Sequence, residues 1–175
     1  MSERAERFVQ HLAALQGENP GAMAALRRSQ AFAPGTHAPA FPFVERFVGS
    51  ECPAWDAWRL ALYVVAGLFA RHPLQESCSF AAAFGDLMRE RESKSIEKRF
   101  IALLEADAEN VAYYLRQAVS LLASEQVGID YVQLLDDLAV WMNPHADTDR
   151  IRQRWARDFY RKSNDGENQI SNPGS

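Results

Sequence analysis

Residues 150–162 read RIRQRWARDFYRK, and their spacing predicts an amphipathic helix. At about 100° per residue, one face carries the apolar side chains, and roughly opposite runs a stripe of arginines. The apolar face would dock the helix on a protein core, and the stripe would point away as a track for phosphates. The alternative is an ordinary solvated face, which is the commoner meaning of a charge run. The apolar residues are Ile151, Trp155 and Phe159, and the stripe is Arg150, Arg154, Arg157 and Arg161.

The positive charge of the chain is concentrated in this segment. The protein has 175 residues and a net charge of −4, so it is not a globally basic nucleic-acid binder. Six of the 19 basic residues and one of the 23 acidic residues lie in 150–162, which therefore carries +5 and leaves −9 for the rest. A basic element on an acidic protein indicates a confined anion-binding surface.

Apolar spacing along the remaining chain predicts helices throughout, and the expected fold class is all-α. No segment shows the alternation typical of a strand. The nearly uncharged stretch 53–71, with Trp55, Trp58 and Leu62 on one face, is expected at the centre of the fold. Helices are predicted near residues 2–16, 20–28, 42–48, 53–71, 80–90, 95–105, 108–124, 130–142 and 148–162.

The charged run RERESKSIEKR at 89–99 suggests a junction between two parts of the chain. We therefore predict two small helical domains. Residues 1–92 would form an N-terminal helical domain, and residues 93–162 an antiparallel four-helix bundle. Residues 163–175 have no apolar pattern and are expected to be a disordered tail.

The sequence contains no recognisable catalytic motif. It lacks a glycine-rich phosphate loop, a GxSxG motif, an HExxH motif and paired catalytic groups. We expect a non-enzymatic protein without metal or cofactor. His145-x-Asp147 is a weak metal pattern, and Cys52 and Cys78 lack metal-type spacing. The longest apolar run, 60–70, is too short to cross a bilayer, and the N-terminus is polar. A cytoplasmic location without a membrane partner is expected.

Basic residues elsewhere also suggest anion binding. Lys94, Lys98 and Arg99 begin a predicted helix, where positive charge opposes the helix dipole, so an external anion is a reasonable partner. Arg27 and Arg28 end another helix, where the dipole alone would favour them.

Two further arginines have structural interpretations. Arg116 lies within a well-packed helix and would bridge to a carboxylate of a neighbouring helix. Arg59 is expected to pair with Asp56, three residues earlier on the same helix.

Four blocks of the second half read SIEKRFIALLEAD (95–107), YYLRQAVSLLASE (113–125), IDYVQLLDDLAVW (129–141) and IRQRWARDFYR (151–161). With GAMAALRRS at 21–29, they resemble the CasB family, the small subunit of the type I-E CRISPR surveillance complex called Cascade. The resemblance spans about residues 21–162 and is weakest over 35–92.

The resemblance implies an all-helical, non-catalytic subunit. In the family, two copies lie head to tail in the complex and contact the crRNA-binding backbone subunits, with the large subunit as a further partner. Their basic surface holds DNA during R-loop formation, particularly the displaced non-target strand, and guide RNA reads the sequence. The implied nucleic-acid-binding residues are Arg27, Arg28, Arg99, Arg116, Arg150, Arg154, Arg157 and Arg161, to which charge placement adds Lys94 and Lys98.

Two other functions stay open at this point. Segments 130–142 and 148–162 could form a helix-turn-helix of a sequence-specific regulator, although Asp149 near the helix start would lie beside DNA phosphates. Alternatively, the arginines would form salt bridges to an acidic protein partner, and the chain would be a structural adaptor.

Overall fold

Helices make up the regular structure of residues 2–161, the part of the chain that the computed structural model describes. The predicted all-α class is confirmed, with one isolated parallel bridge between Gln75 and Ile129. Within this part no helix has the length and apolar character needed to cross a membrane. Lys162 and the predicted tail lie outside the described residues. The helices are α1 (Glu3–Glu18), α2 (Pro20–Ser29), α3 (Phe41–Val44), α4 (Ala57–Arg71), α5 (Phe80–Arg91), α6 (Lys94–Leu104), α7 (Val111–Ser124), α8 (Tyr131–Trp141) and α9 (Asp149–Tyr160).

Side-chain caps begin several helices where the sequence offers them. Asn19 Oδ1 accepts a hydrogen bond from the amide of Ala22 at 3.0 Å. Ser79 Oγ caps α5 in the same way, and Asp130 Oδ1 accepts from the amide of Val132 at 3.0 Å to begin α8. Each cap satisfies an amide that would otherwise lack a partner in the first turn.

The central helix α4 begins later than predicted, because Asp56 and not Pro53 starts it. Asp56 Oδ1 accepts hydrogen bonds from the amides of Trp58 and Arg59 at 2.9 and 3.2 Å. Trp55 therefore precedes the helix, and it is 77% exposed rather than on the buried face. The predicted Arg59–Asp56 pair is also wrong, since the Arg59 guanidinium binds Glu45 at 2.6 Å while Asp56 serves as the cap.

Helix α4 occupies the middle of the core, and residues 61–70 are buried without interruption. Helices α2 and α8 pack on it. Gly67 lets the end of α2 come close, since a Cβ at this position would lie 2.6 Å from Cγ of Gln30. The close approach fixes the position of Gln30, which directly follows α2.

Helix α9 packs on α5, and its apolar face is buried as predicted. The ring of Phe159 stacks on Phe100 with centroids 3.8 Å apart and planes 5° from parallel. At Gly85 of α5 an added Cβ would overlap the main chain of Phe159. A glycine is therefore required where these two helices cross.

Helices from the two sides of residue 92 pack together. Helix α8 lies on α4 and α9 lies on α5, and buried residues of both halves form one hydrophobic core. The packing is therefore continuous across residue 92. The domain boundary at residue 92 and the separate bundle of 93–162 stay predictions.

Candidate nucleic-acid interface

The arginine stripe of α9 is divided between the core and the surface. Arg154 Nη2 donates to Asp137 of α8, a buried carboxylate that also accepts from Trp155 Nε1 at 2.8 Å. The unpaired guanidinium predicted for Arg154 is therefore wrong, although its side chain stays partly exposed. Burial raises the pKa of Asp137 above its usual value, and the hydrogen bonds from Arg154 and Trp155 oppose that effect. Arg150, Arg157 and Arg161 are exposed, and no carboxylate within residues 2–161 pairs with them.

Gln30 joins two arginines that are distant in sequence. Its main-chain oxygen accepts a hydrogen bond from Arg116 Nη1 of α7 at 2.7 Å. Its side-chain Oε1 accepts from Arg71 Nε, at the end of α4, at 2.9 Å. The carboxylate bridge predicted for Arg116 is wrong, because the guanidinium reaches a neutral carbonyl instead. Both arginines thus keep a full positive charge, and their positions are fixed by neutral oxygens.

Arg27 and Arg71 extend this group along the ends of α2 and α4. Arg27 Nη1 donates to the main-chain oxygen of Ala70 at 3.3 Å, and Arg71 Nη1 donates to Ser120 Oγ of α7 at 3.4 Å. Neither forms an ion pair within residues 2–161. The contact with Ser120 places Arg71 at the edge of the surface formed by α7.

Arg99 of α6 approaches the same surface from the other side. A groove, which we call the α7 groove, is lined by Arg99, Tyr113, Arg116, Gln117, Ser120, Leu121 and Ser124. Its lining contains two arginines and no carboxylate. Two predicted cations, Arg99 and Arg116, therefore meet at one groove, and Arg71 lies at its rim beside Ser120. The local potential favours an anion.

The family of the chain follows from comparison with known proteins. The sequence profile of the family CRISPR-associated protein Cse2 matches residues 22–160. The chain belongs to the Cse2 family. A Cse2 protein from Thermus thermophilus is 41% identical to it over 161 residues, which is 89% of each chain.

Solved structures agree with this membership. The crystal structure of CasB from Thermus thermophilus has a TM-score of 0.76 at 42% identity and covers 91% of this chain and 99% of that one. A chain of a CRISPR RNA-guided surveillance complex has a TM-score of 0.77 at 25% identity, over 90% of this chain and 92% of that one. The resemblance to CasB noted in the sequence is confirmed.

The remaining predicted cations of this Cse2-family chain lie on other exposed surfaces. Arg28 ends α2, and Lys94 and Lys98 lie in the first half of α6. None of the three forms an ion pair with a residue between 2 and 161. Among the ten predicted residues, Arg154 is the one that has a carboxylate partner in the described part of the chain.

Sequence reasoning missed Arg71. It was visible only as a charge at the end of the central helix, and nothing in the local sequence connects it with Gln30 or Ser120. Both contacts arise from the packing of α4 between α2 and α7, which no local pattern encodes.

The side chains considered for metal binding or nucleophilic catalysis do not lie in surroundings that favour either function. His145 is exposed, and Asp147 Oδ1 accepts from the amide of Asp149 at 2.9 Å beside the start of α9. Residues 2–161 contain no cluster of three or more metal-ligand side chains. Burial raises the pKa of the Cys78 thiol, and a protonated thiol is a poor nucleophile.

Proposed function

We propose that the chain is a non-catalytic subunit of a type I-E Cascade, a CRISPR RNA-guided surveillance complex, and that it holds DNA without reading its sequence. Membership of the Cse2 family and likeness to a chain of a solved surveillance complex support the assembly. The α7 groove is the observation that supports DNA binding, because Arg99 and Arg116 line it together and its described lining contains no carboxylate.

The guanidinium groups at this groove suit a phosphate backbone. An arginine has five N–H donors, and Arg116 uses one of them on Gln30. The contacts to Gln30 and Ser120 hold Arg71 and Arg116 in place, so little side-chain freedom is lost when a phosphate binds. Charge-assisted bonds from a positioned guanidinium are among the stronger hydrogen bonds in proteins.

The displaced non-target strand is the DNA that we assign to this surface. In RNA-guided recognition the guide pairs with the target strand, and the other strand must be held by contacts that tolerate any sequence. Phosphate contacts meet that need. Further contacts along the strand would come from Arg27 and Arg28, the α6 lysines and the exposed arginines of α9.

The proposed protein partners are the crRNA-binding backbone subunits, the large subunit and a second copy of this chain. Trp55 is a candidate contact residue, since it is 77% exposed and lies beside Pro34, Leu60 and Met142 in an apolar surface depression. An exposed tryptophan in apolar surroundings is a frequent centre of protein interfaces.

The helix-turn-helix alternative has less support. Helices α8 and α9 are separated by seven residues, 142–148, whereas the motif uses a turn of about 3–4. Asp149 is exposed at the start of α9, where a recognition helix would approach DNA phosphates.

Charge reversal in the groove tests the proposal. The complex is reconstituted with Arg99→Glu, and its affinity for target DNA is measured by gel shift, with size-exclusion chromatography to verify assembly. Arg99 is exposed and forms no ion pair within residues 2–161, so folding should be unaffected. We expect roughly tenfold weaker binding, equivalent to about 1.4 kcal/mol. Arg7→Glu, on an exposed face of α1 outside the groove, makes the same charge change, removes only a solvent-exposed ion pair with Glu3, and should bind as the wild type does.

Two results would count against the proposal. Equal affinity of the Arg99→Glu and Arg7→Glu complexes would mean that the α7 groove does not contact DNA. Loss of the variant subunit from the complex, with DNA affinity unchanged in the complexes that do assemble, would favour the adaptor function instead.

A further inference from the structure

Tyr113 is a large exposed aromatic residue at the α7 groove. It lies in the first turn of α7 and is 62% exposed. Its side chain and Arg116 line the groove on one side and an adjoining cavity of about 210 Å³ on the other. Tyr113 therefore lies between a cationic surface and a partly open cavity.

The adjoining cavity differs from the groove in charge and polarity. Val64 and Leu68 of α4 give it an apolar floor, and the half-exposed ring of Phe32 forms part of its wall. Glu109 also lines it, whereas the α7 groove has no carboxylate. Arg116 lines both spaces, but Glu109 makes the cavity less favourable than the groove for a phosphate. The apolar lining of the cavity instead favours an uncharged group with an apolar face.

The two aromatic rings beside the cavity are held by their neighbours. Phe32 stacks on His37 with centroids 4.7 Å apart and planes 11° from parallel. Tyr113 meets Tyr114 edge to face at 5.4 Å. A ring that is already positioned loses little conformational freedom when a second flat group stacks on it.

We propose that Tyr113 stacks on a base of the single DNA strand whose phosphates bind Arg99 and Arg116. This inference rests on the proposed function, since the same strand must lie in the α7 groove. Every base has an aromatic face, so stacking of this kind tolerates any sequence. The arginine stripe of α9 suggested phosphate contacts, and the α7 groove adds an aromatic contact beside its own two arginines.

A bubble substrate isolates the contribution of the base. The guide-paired strand is kept constant, and the opposite strand is unpaired over the target, either as oligothymidine or as an abasic backbone of equal length. Affinity of the reconstituted complex is measured for the wild type and for Tyr113→Ala, Tyr113→Phe and Arg99→Gln. Both substrates are pre-opened, so they differ only in the presence of bases.

The stacking proposal predicts that Tyr113→Ala binds the thymidine bubble about five- to tenfold more weakly than the wild type and binds the abasic bubble equally well. Tyr113→Phe keeps the ring and should behave as the wild type. Equal weakening of Tyr113→Ala on both bubbles, no weakening on either, or an equal loss in Tyr113→Phe would overturn it. Arg99→Gln should weaken binding to both bubbles, and an absence of that effect would instead contradict the proposed function.

Discussion

Arg154 of α9 is hydrogen-bonded to the buried carboxylate of Asp137 on α8, so one arginine of the stripe is tied to a neighbouring helix. Trp155 Nε1 donates to the second carboxylate oxygen, so Asp137 fixes two consecutive residues of α9. A helix with four aligned arginines thus has one of them, partly exposed, paired with a buried carboxylate. Mutating the whole stripe would confuse a loss of stability with a loss of anion binding.

We expect Arg154→Ala to lower the free energy of unfolding by about 1–3 kcal/mol, because it leaves the buried Asp137 carboxylate without its charged partner. Arg157→Ala is the matched control, as Arg157 is exposed on the same helix and should change stability by less than about 0.5 kcal/mol. Urea unfolding of the isolated chain measures both. Equal stability of the two variants would show that the Arg154–Asp137 contact contributes nothing.

We expect Gly85→Ala to destabilise the fold by about 1–3 kcal/mol, since the new methyl group would overlap the main chain of Phe159 and push α9 from α5. Gly17→Ala is its control. A Cβ at Gly17, near the end of α1, would meet no atom within 4 Å, and the change should stabilise by roughly 0.4–1 kcal/mol. Thermal unfolding should therefore move in opposite directions for the two variants. A higher midpoint for Gly85→Ala would contradict the close crossing of α5 and α9.

Stability should fall as the pH drops below the ordinary histidine pKa of 6.5, and His11 is one cause. Its Nε2 donates to the Phe43 carbonyl at 2.8 Å, and its Nδ1 accepts from Arg46 at 2.6 Å, a contact that only the neutral ring can make. Burial, with a further contribution from Arg46, lowers the pKa of His11 in the folded state. The unfolded chain then takes up the proton first, and acid favours unfolding.

His11→Gln tests this, because glutamine can donate to Phe43 but does not titrate. Melting temperatures are measured at several pH values above and below 6.5. They should depend less on pH in His11→Gln than in the wild type. An unchanged dependence in His11→Gln would show that His11 is not responsible.

Helix positions were predictable because their signals are local. Apolar spacing and the caps at Asn19, Ser79 and Asp130 determine hydrogen bonds within a few residues of each other. The same local reasoning failed at Asp56, which could either cap α4 or pair with Arg59. As a cap, Asp56 shortened α4 and left Trp55 outside it, and Arg59 then paired with a distant residue.

The candidate site was predictable only in part, since its members come from different helices. Charge placement and the CasB resemblance singled out Arg99 and Arg116, which the structure brings together at one groove. Arg71 joins them through Gln30 and Ser120, contacts that depend on how α4 packs. Neither the buried partner of Arg154 nor the cavity beside Tyr113 has a signature in the sequence, because both are formed by residues far apart in the chain.

The salt dependence of DNA binding tests the central claim most directly. For a strand held by phosphate contacts, log affinity falls linearly with log salt concentration, and each lost contact to single-stranded DNA reduces the slope by about 0.7. Complexes containing the wild type, Arg99→Gln or Arg7→Gln are titrated with target DNA at a series of salt concentrations. The account predicts a slope shallower by about 0.7 for Arg99→Gln and an unchanged slope for Arg7→Gln. Parallel lines for all three complexes would contradict it.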